Sequence, residues 1–512
     1  MNNLFHKKIS RRDFLKLNLT AFAALALYTP PHWAALQPAA AAARVTAARV
    51  PELAQAGLAA PASGSHYSAQ TLLAANRLTF GPRLEDLDWI ESNGVDAFID
   101  QQLAFEAIND LEMAPRLEGL NTLQQAAGAA PLVNAGDALS QLQQATLLRA
   151  VYSQRQLFEL TADFWNNHFN INARLISDPV LKTLFDRDVV RKYALGNFRD
   201  LLGSSAHHPA VIGNYTVNTR FDMSHNEYFA RELLENQTIG LNSGYSEKDV
   251  AEITRAFTGW SAVFAAGNKP VLPSFNFITS EHDFGQKVVL GQKLPPNDNG
   301  DGEKDGEFVL DLLANSPACA TFISSKLAQR FVADNPPSSV VQLGASAFQS
   351  THGDIRATLG AILHSAEFKN STGQKVKRPF EYLVSVLRIL NAKTDGGVSL
   401  QGYIQKMGQP LFTWDKPGGF PDSADAWMNT QNMMARWNFA RAVVNNSISG
   451  TQVDLSKVIA LPGNMITNMA QSFLGHPIPA DMAAALLPIA DAKNAPMLAA
   501  LLFGSPLFQV RN

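Results

Sequence analysis

The sequence predicts a mainly α fold: a large multi-helix globular body with a small extended or hairpin excursion and long irregular loops. Apolar residues recur at helical spacing through most of residues 67–512. Strand-like patterning is confined to residues 271–290, where Phe275, Phe277, Val288 and Val289 stand. No self-similar period of solenoid type is present. A hydrophobic content of 46 % with 17 % charged residues belongs to an ordinary globular chain rather than a disordered one.

The elements follow in order. Residues 10–16 read Ser-Arg-Arg-Asp-Phe-Leu-Lys, with Arg11 and Arg12 as a twin-arginine pair. Lys7, Lys8 and Lys16 complete a basic head before an apolar run at 17–28 and an Ala-rich stretch at 39–43. This is the layout of a bacterial twin-arginine export signal. Its apolar run is shorter than the roughly 20 residues that span a bilayer. Residues 1–43 are therefore expected to be a cleavable signal peptide, 44–66 a flexible Ala/Pro linker, and 67–512 one helical domain, with two subdomains as the alternative division. The expected location is periplasmic or secreted, after export in the folded state. The twin-arginine translocase is then a transient partner, and no membrane anchor remains after cleavage.

Helices are predicted over 137–155, 156–169, 224–237 and 246–257. Ser224 with Glu227 and Ser246 with Asp249 have capping-box spacing, and Gly259 suits a helix stop. The apolar repeats at 308–331 and 355–390 continue the pattern. Residues 295–307 read as an acidic loop feeding a helix at Phe308. Residues 407–427 are rich in Pro, Gly and aromatics and exclude a regular helix.

Several function classes are excluded or lose support. The formal charge is −3; removing residues 1–43 takes away five basic groups and one acidic group, leaving −7. That balance argues against a nucleic-acid partner and against a polybasic membrane clamp. The single cysteine, Cys319, rules out an internal disulfide, a Cys-based zinc cage and an iron–sulfur cluster. It is expected to be a buried structural thiol. Walker, His-Glu-x-x-His, Gly-x-Ser-x-Gly and Ser-x-x-Lys patterns are absent.

Three segments are dense enough in polar groups to carry chemistry. In Phe164-Trp165-Asn166-Asn167-His168-Phe169, helical spacing turns His168 toward the apolar side, as a satisfied core histidine or as a buried base or metal ligand. In 224–235, Glu227, Arg231 and Glu235 are four apart and suit a surface ladder. Glu232 falls off that ladder, and with Asn226 it could serve as an oxygen ligand or acid–base group. His282-Asp283 with Lys287 reads either as a functional pair on a turn or as an Asx-type turn with a surface histidine. The loop at 297–303 fails the EF-hand spacing.

Taken in order, 75–81 (Ala-Asn-Arg-Leu-Thr-Phe-Gly), 164–169, 194–202, Asn226-Glu227 with Ala230-Arg231-Glu232-Leu233, 255–260, His282-Asp283 with Gly285 and Lys287, and 407–410 resemble the bacterial "domain of unknown function 1800" family. The resemblance runs from about Leu73 to the C-terminal region. The family tends to carry Asp-Pro-Ala where this chain has His208-Pro209-Ala210, a second Asn at Tyr228, and an aromatic or His at Gln237. The resemblance implies an exported bacterial protein, often encoded near an exported sulfatase-like protein that is a candidate partner, and no established reaction. Two functions are open. One is a hydrolase-type or metal-assisted enzyme using His168, Asn226, Glu227, Arg231, Glu232, His282 and Asp283, with a divalent metal on His and carboxylate groups as the candidate cofactor. The other is a non-catalytic scaffold or partner protein.

Overall fold

The computed structural model describes residues 66–126, 129, 137–176, 178–215, 227–266, 269–296 and 300–512. The proposed signal peptide, Ser224, Asn226 and residues 297–299 lie outside these. The fold is mainly α. Twelve helices bear on the site: α1 (Ala69–Leu78), α2 (Ala138–Tyr152), α3 (Gln156–Phe169), α4 (Val180–Phe185), α5 (Phe198–Ala206), α6 (Glu227–Glu232), α7 (Glu247–Ala256), α8 (Glu303–Ala314), α9 (Pro317–Phe331), α10 (Pro379–Ile389), α11 (Thr430–Val444) and α12 (Ala495–Gly504). Among the described residues the sheets are three antiparallel two-stranded pairs. The largest is the hairpin of β1 (Trp260–Ala266) and β2 (Lys269–Phe277). It begins earlier than the sequence pattern indicated, because Gly259, at φ 84°, turns the chain straight from α7 into the strand.

Local signals explain the helix starts. Ser246 and Asp249 form the expected capping box at α7. Ser316 caps α9, where Pro317 fills the first turn without losing a needed N–H. His208, in place of an aspartate, accepts the Ala210 N–H at Nδ1 (3.1 Å) and so caps the helix Pro209–Tyr215. Burial pushes its pKa down to about 3, leaving the ring neutral and able to accept.

Two departures from the expected helices matter. First, α8 begins at Glu303, not at Phe308: Glu303 and Asp305 occupy its first turn, where the helix dipole favours acids. Second, α6 does not run on as a regular helix. Leu233–Thr238 is a π-helical turn, as is Asp186–Val190 after α4. The π-turn breaks the predicted ladder: Arg231 reaches Glu227 (3.5 Å) and Glu247, while Glu235 accepts the Tyr245 hydroxyl (2.5 Å).

One contiguous apolar core runs from Leu72 to Phe508 and includes the fully buried Cys319. Arg77 ties its ends together. Its guanidinium donates to the carbonyls of Phe331, Val332, Ser371 and Arg511, and Arg511 donates back to the carbonyls of Asn76 and Arg77. Among the described residues no single helix is long and apolar enough to cross a membrane.

Candidate functional site

Helix α3 organises the polar interior. Glu159, Asp163 and Asn166 stand at i, i+4 and i+7, hence on one stripe. Glu159 takes a two-pronged contact from Arg191 (3.0 and 2.5 Å). Asp163 accepts from Arg330 (3.2 Å) and Arg378. Asn166 donates to Asp186, the first residue of one π-turn, at 2.6 Å, and accepts from the Lys182 ammonium at 2.9 Å. Burial pushes Lys182 down to about 7, with the Asp186 charge opposing. Glu159, Asp163, Asn166, Asp186 and Arg191 line a cavity of about 10 Å³, room for about one water centre and no substrate. Beyond Asp163 the network continues into Glu381, which meets Arg330, Arg378 (3.5 Å) and Arg511 (2.9 Å). Burial raises its pKa, but these guanidiniums outweigh that and hold Glu381 well below the usual carboxylate range.

The C-terminal end of α3 holds the irregular loop. Asn167 donates to the Phe420 carbonyl (2.9 Å) and accepts the Phe420 N–H (2.7 Å); Asn170 donates to the Lys416 carbonyl (2.6 Å). Gly418 and Gly419 both take left-handed backbone angles, φ 73° and 78°. A Cβ on Gly419 would stand 2.1 Å from the Asn167 carbonyl oxygen, so only glycine permits this docking.

His168 is buried among Phe164, Trp165 and Phe169. Its Nε2 lies 3.0 Å from the Gln237 carbonyl oxygen in the second π-turn and must donate there. Nδ1 is then a bare acceptor, and it has no hydrogen-bond partner. Burial, reinforced by the Lys326 charge, holds the ring neutral.

Glu232, at the junction of α6 and its π-turn, is 6 % exposed. It accepts from Asn236 Nδ2 (2.8 Å) and from the Gly418 N–H (3.3 Å), both neutral donors, and has no ion-pair partner among the described residues. Burial raises its pKa. Lys326 on α9 is half-buried, its charge acts on Glu232, and its ammonium lies 5.4 Å from the Phe322 ring centroid; among the described residues it has no ion pair or hydrogen bond. Burial brings Lys326 down to about 8, opposed by the charges of Glu232 and Asp422.

The remaining predicted residues sit elsewhere. Asn226 lies outside the described residues. Glu227 and Arg231 form an ion pair on the surface, shared with Glu247. Asp283 makes the Asx-type turn, accepting the Gly285 N–H (2.7 Å), and binds Arg255 (2.7 Å), which lowers its pKa to about 2. His282 is not on the surface: it is 7 % exposed, with Nδ1 2.8 Å from the Thr258 carbonyl and Nε2 3.3 Å from Asp305, which also binds Lys287 (2.7 Å). Among the described residues no hydrogen bond or ion pair joins His168 or Glu232 to His282 or Asp283. The charge of Lys326 acts on both His168 and Glu232, whereas the His282 group forms a network of its own.

Asp163, Asn166, Lys182, Asp186 and Lys326 were not singled out from the sequence. The i, i+4, i+7 stripe on α3 and the i, i+4 pair Lys182–Asp186 were available signals. Lys326 carries no local signal at all.

A family model described as "Protein of unknown function (DUF1800)" matches residues 73–510. No curated protein and no solved structure matches the chain.

Proposed function

We propose that this chain, which belongs to the DUF1800 family of unknown function, is an exported enzyme of hydrolase type whose acid–base groups are Glu232 and Lys326. One observation carries the reading: a nearly buried carboxyl held only by neutral donors, one of them the Gly418 N–H, lies within the range of the charge of an ammonium that has no ion-pair partner among the described residues. Burial that raises a carboxyl and lowers an ammonium moves both toward the range where general acid–base catalysis works. A raised Glu232 can donate a proton to a leaving group, and the neutral fraction of Lys326 can accept one from water. His168 is a positioning residue, because its contact is with the Gln237 backbone and the π-turn that carries Glu232. The twin-arginine motif at residues 10–16 supports export in the folded state.

The test has two parts. Carbon-13 NMR titration of the glutamate carboxyls reads Glu232 directly, with Glu232→Gln as the assignment control. A panel of ester, phosphoester and glycoside substrates reads the chemistry. We expect a raised Glu232 titration and a loss of at least about 100-fold in Glu232→Gln and Lys326→Met. A Glu232 titrating in the ordinary carboxylate range, or activity unchanged in both variants, overturns the reading.

A further inference from the structure

We propose that His207, Glu303 and Glu307 form a site for one divalent first-row transition-metal ion, zinc by its donor set. The site is independent of Glu232 and Lys326. It lies where the C-terminal end of α5 meets the first turns of α8.

The donor–acceptor logic of His207 comes first. Nδ1 lies 2.9 Å from the Gly203 carbonyl oxygen, which can only accept, so Nδ1 carries the proton. In the neutral ring, Nε2 is then a lone pair. It faces Glu303 Oε1 at 3.2 Å and Glu307 Oε1 at 3.2 Å. Three electron-rich atoms converge on one point, so a positive species belongs between them: a proton or a metal ion. A proton on Nε2 would be shared between the two oxygens in a weaker three-centre contact, whereas a charge-assisted N–H···O bond to either one alone closes to about 2.7–2.9 Å. Both contacts here are longer and equal. Two donors each about 2.05 Å from a tetrahedral zinc ion stand about 3.3 Å apart. The ligand atoms of all three residues lie within 4.8 Å of one another, and this is the one group of three or more such side chains with that spacing among the described residues.

The surroundings are those of a held ligand set. Glu303 and Glu307 are four apart on α8 and share a face. The His207 ring packs on Trp260 (4.3 Å between centroids) and Phe275 (4.5 Å), and its far nitrogen is tied to a backbone carbonyl, as in metal-ligating histidines. Arg199 binds the other oxygen of Glu307 and also Asp311, which orients Glu307 and offsets part of the acid charge. The three side chains are 28 %, 37 % and 35 % exposed, so an ion can enter and a fourth position opens to water. The imidazole favours zinc and its neighbours over magnesium and calcium.

Calorimetric titration of chelator-treated full-length protein with zinc sulfate tests the site, with cobalt(II) as a visible-absorbance probe of ligand geometry. We expect one ion per chain. His207→Gln and Glu303→Gln should each weaken binding by at least about 100-fold, beyond what loss of a supporting contact alone produces. His364→Ala removes a surface histidine that already meets Asp96 and Asp100 at both nitrogens, and should leave binding unchanged. Because Glu303 is only partly buried, Glu303→Gln keeps the test readable if the His207 variant fails to fold. No binding by the wild-type protein, or wild-type affinity in both ligand variants, overturns the site.

Discussion

Glu381 and Glu232 are both buried carboxylates, and they meet burial in opposite ways. Glu381 lies among Arg330, Arg378 and Arg511 and is held ionised. Glu232 lies among an amide and a backbone N–H, without a cation in contact, and its pKa rises. The difference teaches how to separate charges that hold the fold from charges free to titrate. A carboxylate surrounded by guanidiniums is committed to one state, whereas one buried among neutral donors has its pKa raised and holds its proton to higher pH. Lys182 and Lys326 repeat the contrast less sharply. Lys182 is fully buried and donates to Asn166, whereas Lys326 is half-buried.

The strongest way to break this comparison is Glu381→Gln. It leaves three buried guanidiniums short of a counter-charge, and stability should fall by about 3–5 kcal/mol in urea denaturation. A loss under 1 kcal/mol, the scale of an exposed pair, would mean the network is not what commits this carboxylate. Next is Gly419→Ala. Its Cβ has no space against the Asn167 carbonyl and its φ is left-handed, so a cost of about 1–3 kcal/mol is expected. Limited proteolysis should then cut within 407–427 faster than in the wild type; unchanged cutting would separate the loop from Asn167.

The pH dependence of Lys182→Met sharpens the contrast. The native pKa of Lys182 is about 7 against an ordinary 10.5, so the unfolded chain binds more protons between those values. The cost of burying the charge is fully present below pH 7 and is relieved as pH rises toward 10.5. The variant should therefore be most favoured over wild type near pH 6, and that advantage should shrink on the order of 1.4 kcal/mol per pH unit above pH 7. A difference that does not vary with pH would place the lysine outside a dry environment.

Glu232→Gln should act with the opposite sign. Here the native state holds its proton longer than the unfolded chain, so wild-type stability declines as pH rises from 4.5 through the raised native value. The variant should gain on wild type over that window, read by thermal melts at pH 4, 6 and 8; a gain on acidification would reverse the assignment. The smallest effect belongs to Arg231→Ala, whose exposed pairs with Glu227 and Glu247 should leave the denaturation midpoint where it was. A clear drop would show that surface pairs, too, hold this fold.

Much of the fold was legible wherever the cause was local. Ser246 and Asp249 mark a helix start because they touch each other within one turn, and His168 points inward because 3.6-residue spacing leaves it no other face. Glu235 escaped its predicted ladder because a π-turn, which no pattern signals, rotated it toward Tyr245. His282 was open to a surface reading until the start of α8 came to rest against its ring, where a Cβ on Gly302 would stand 2.3 Å away. Placing the α8 start at Phe308 also hid the Glu303–Glu307 spacing, and with it the group around His207.

By itself, the sequence determined the mainly α architecture, the single thiol that leaves no internal disulfide, and the helix α3 with His168 on its apolar side, because each depends on composition or on neighbours within a turn. Only the tertiary structure decided which charges are paired. Asp163 finds Arg330 and Arg378 more than 160 positions away, and Glu232 finds Gly418 across 186. The electrostatic state of a buried group depends on what surrounds it in three dimensions, and those surroundings are brought together only when the helices pack.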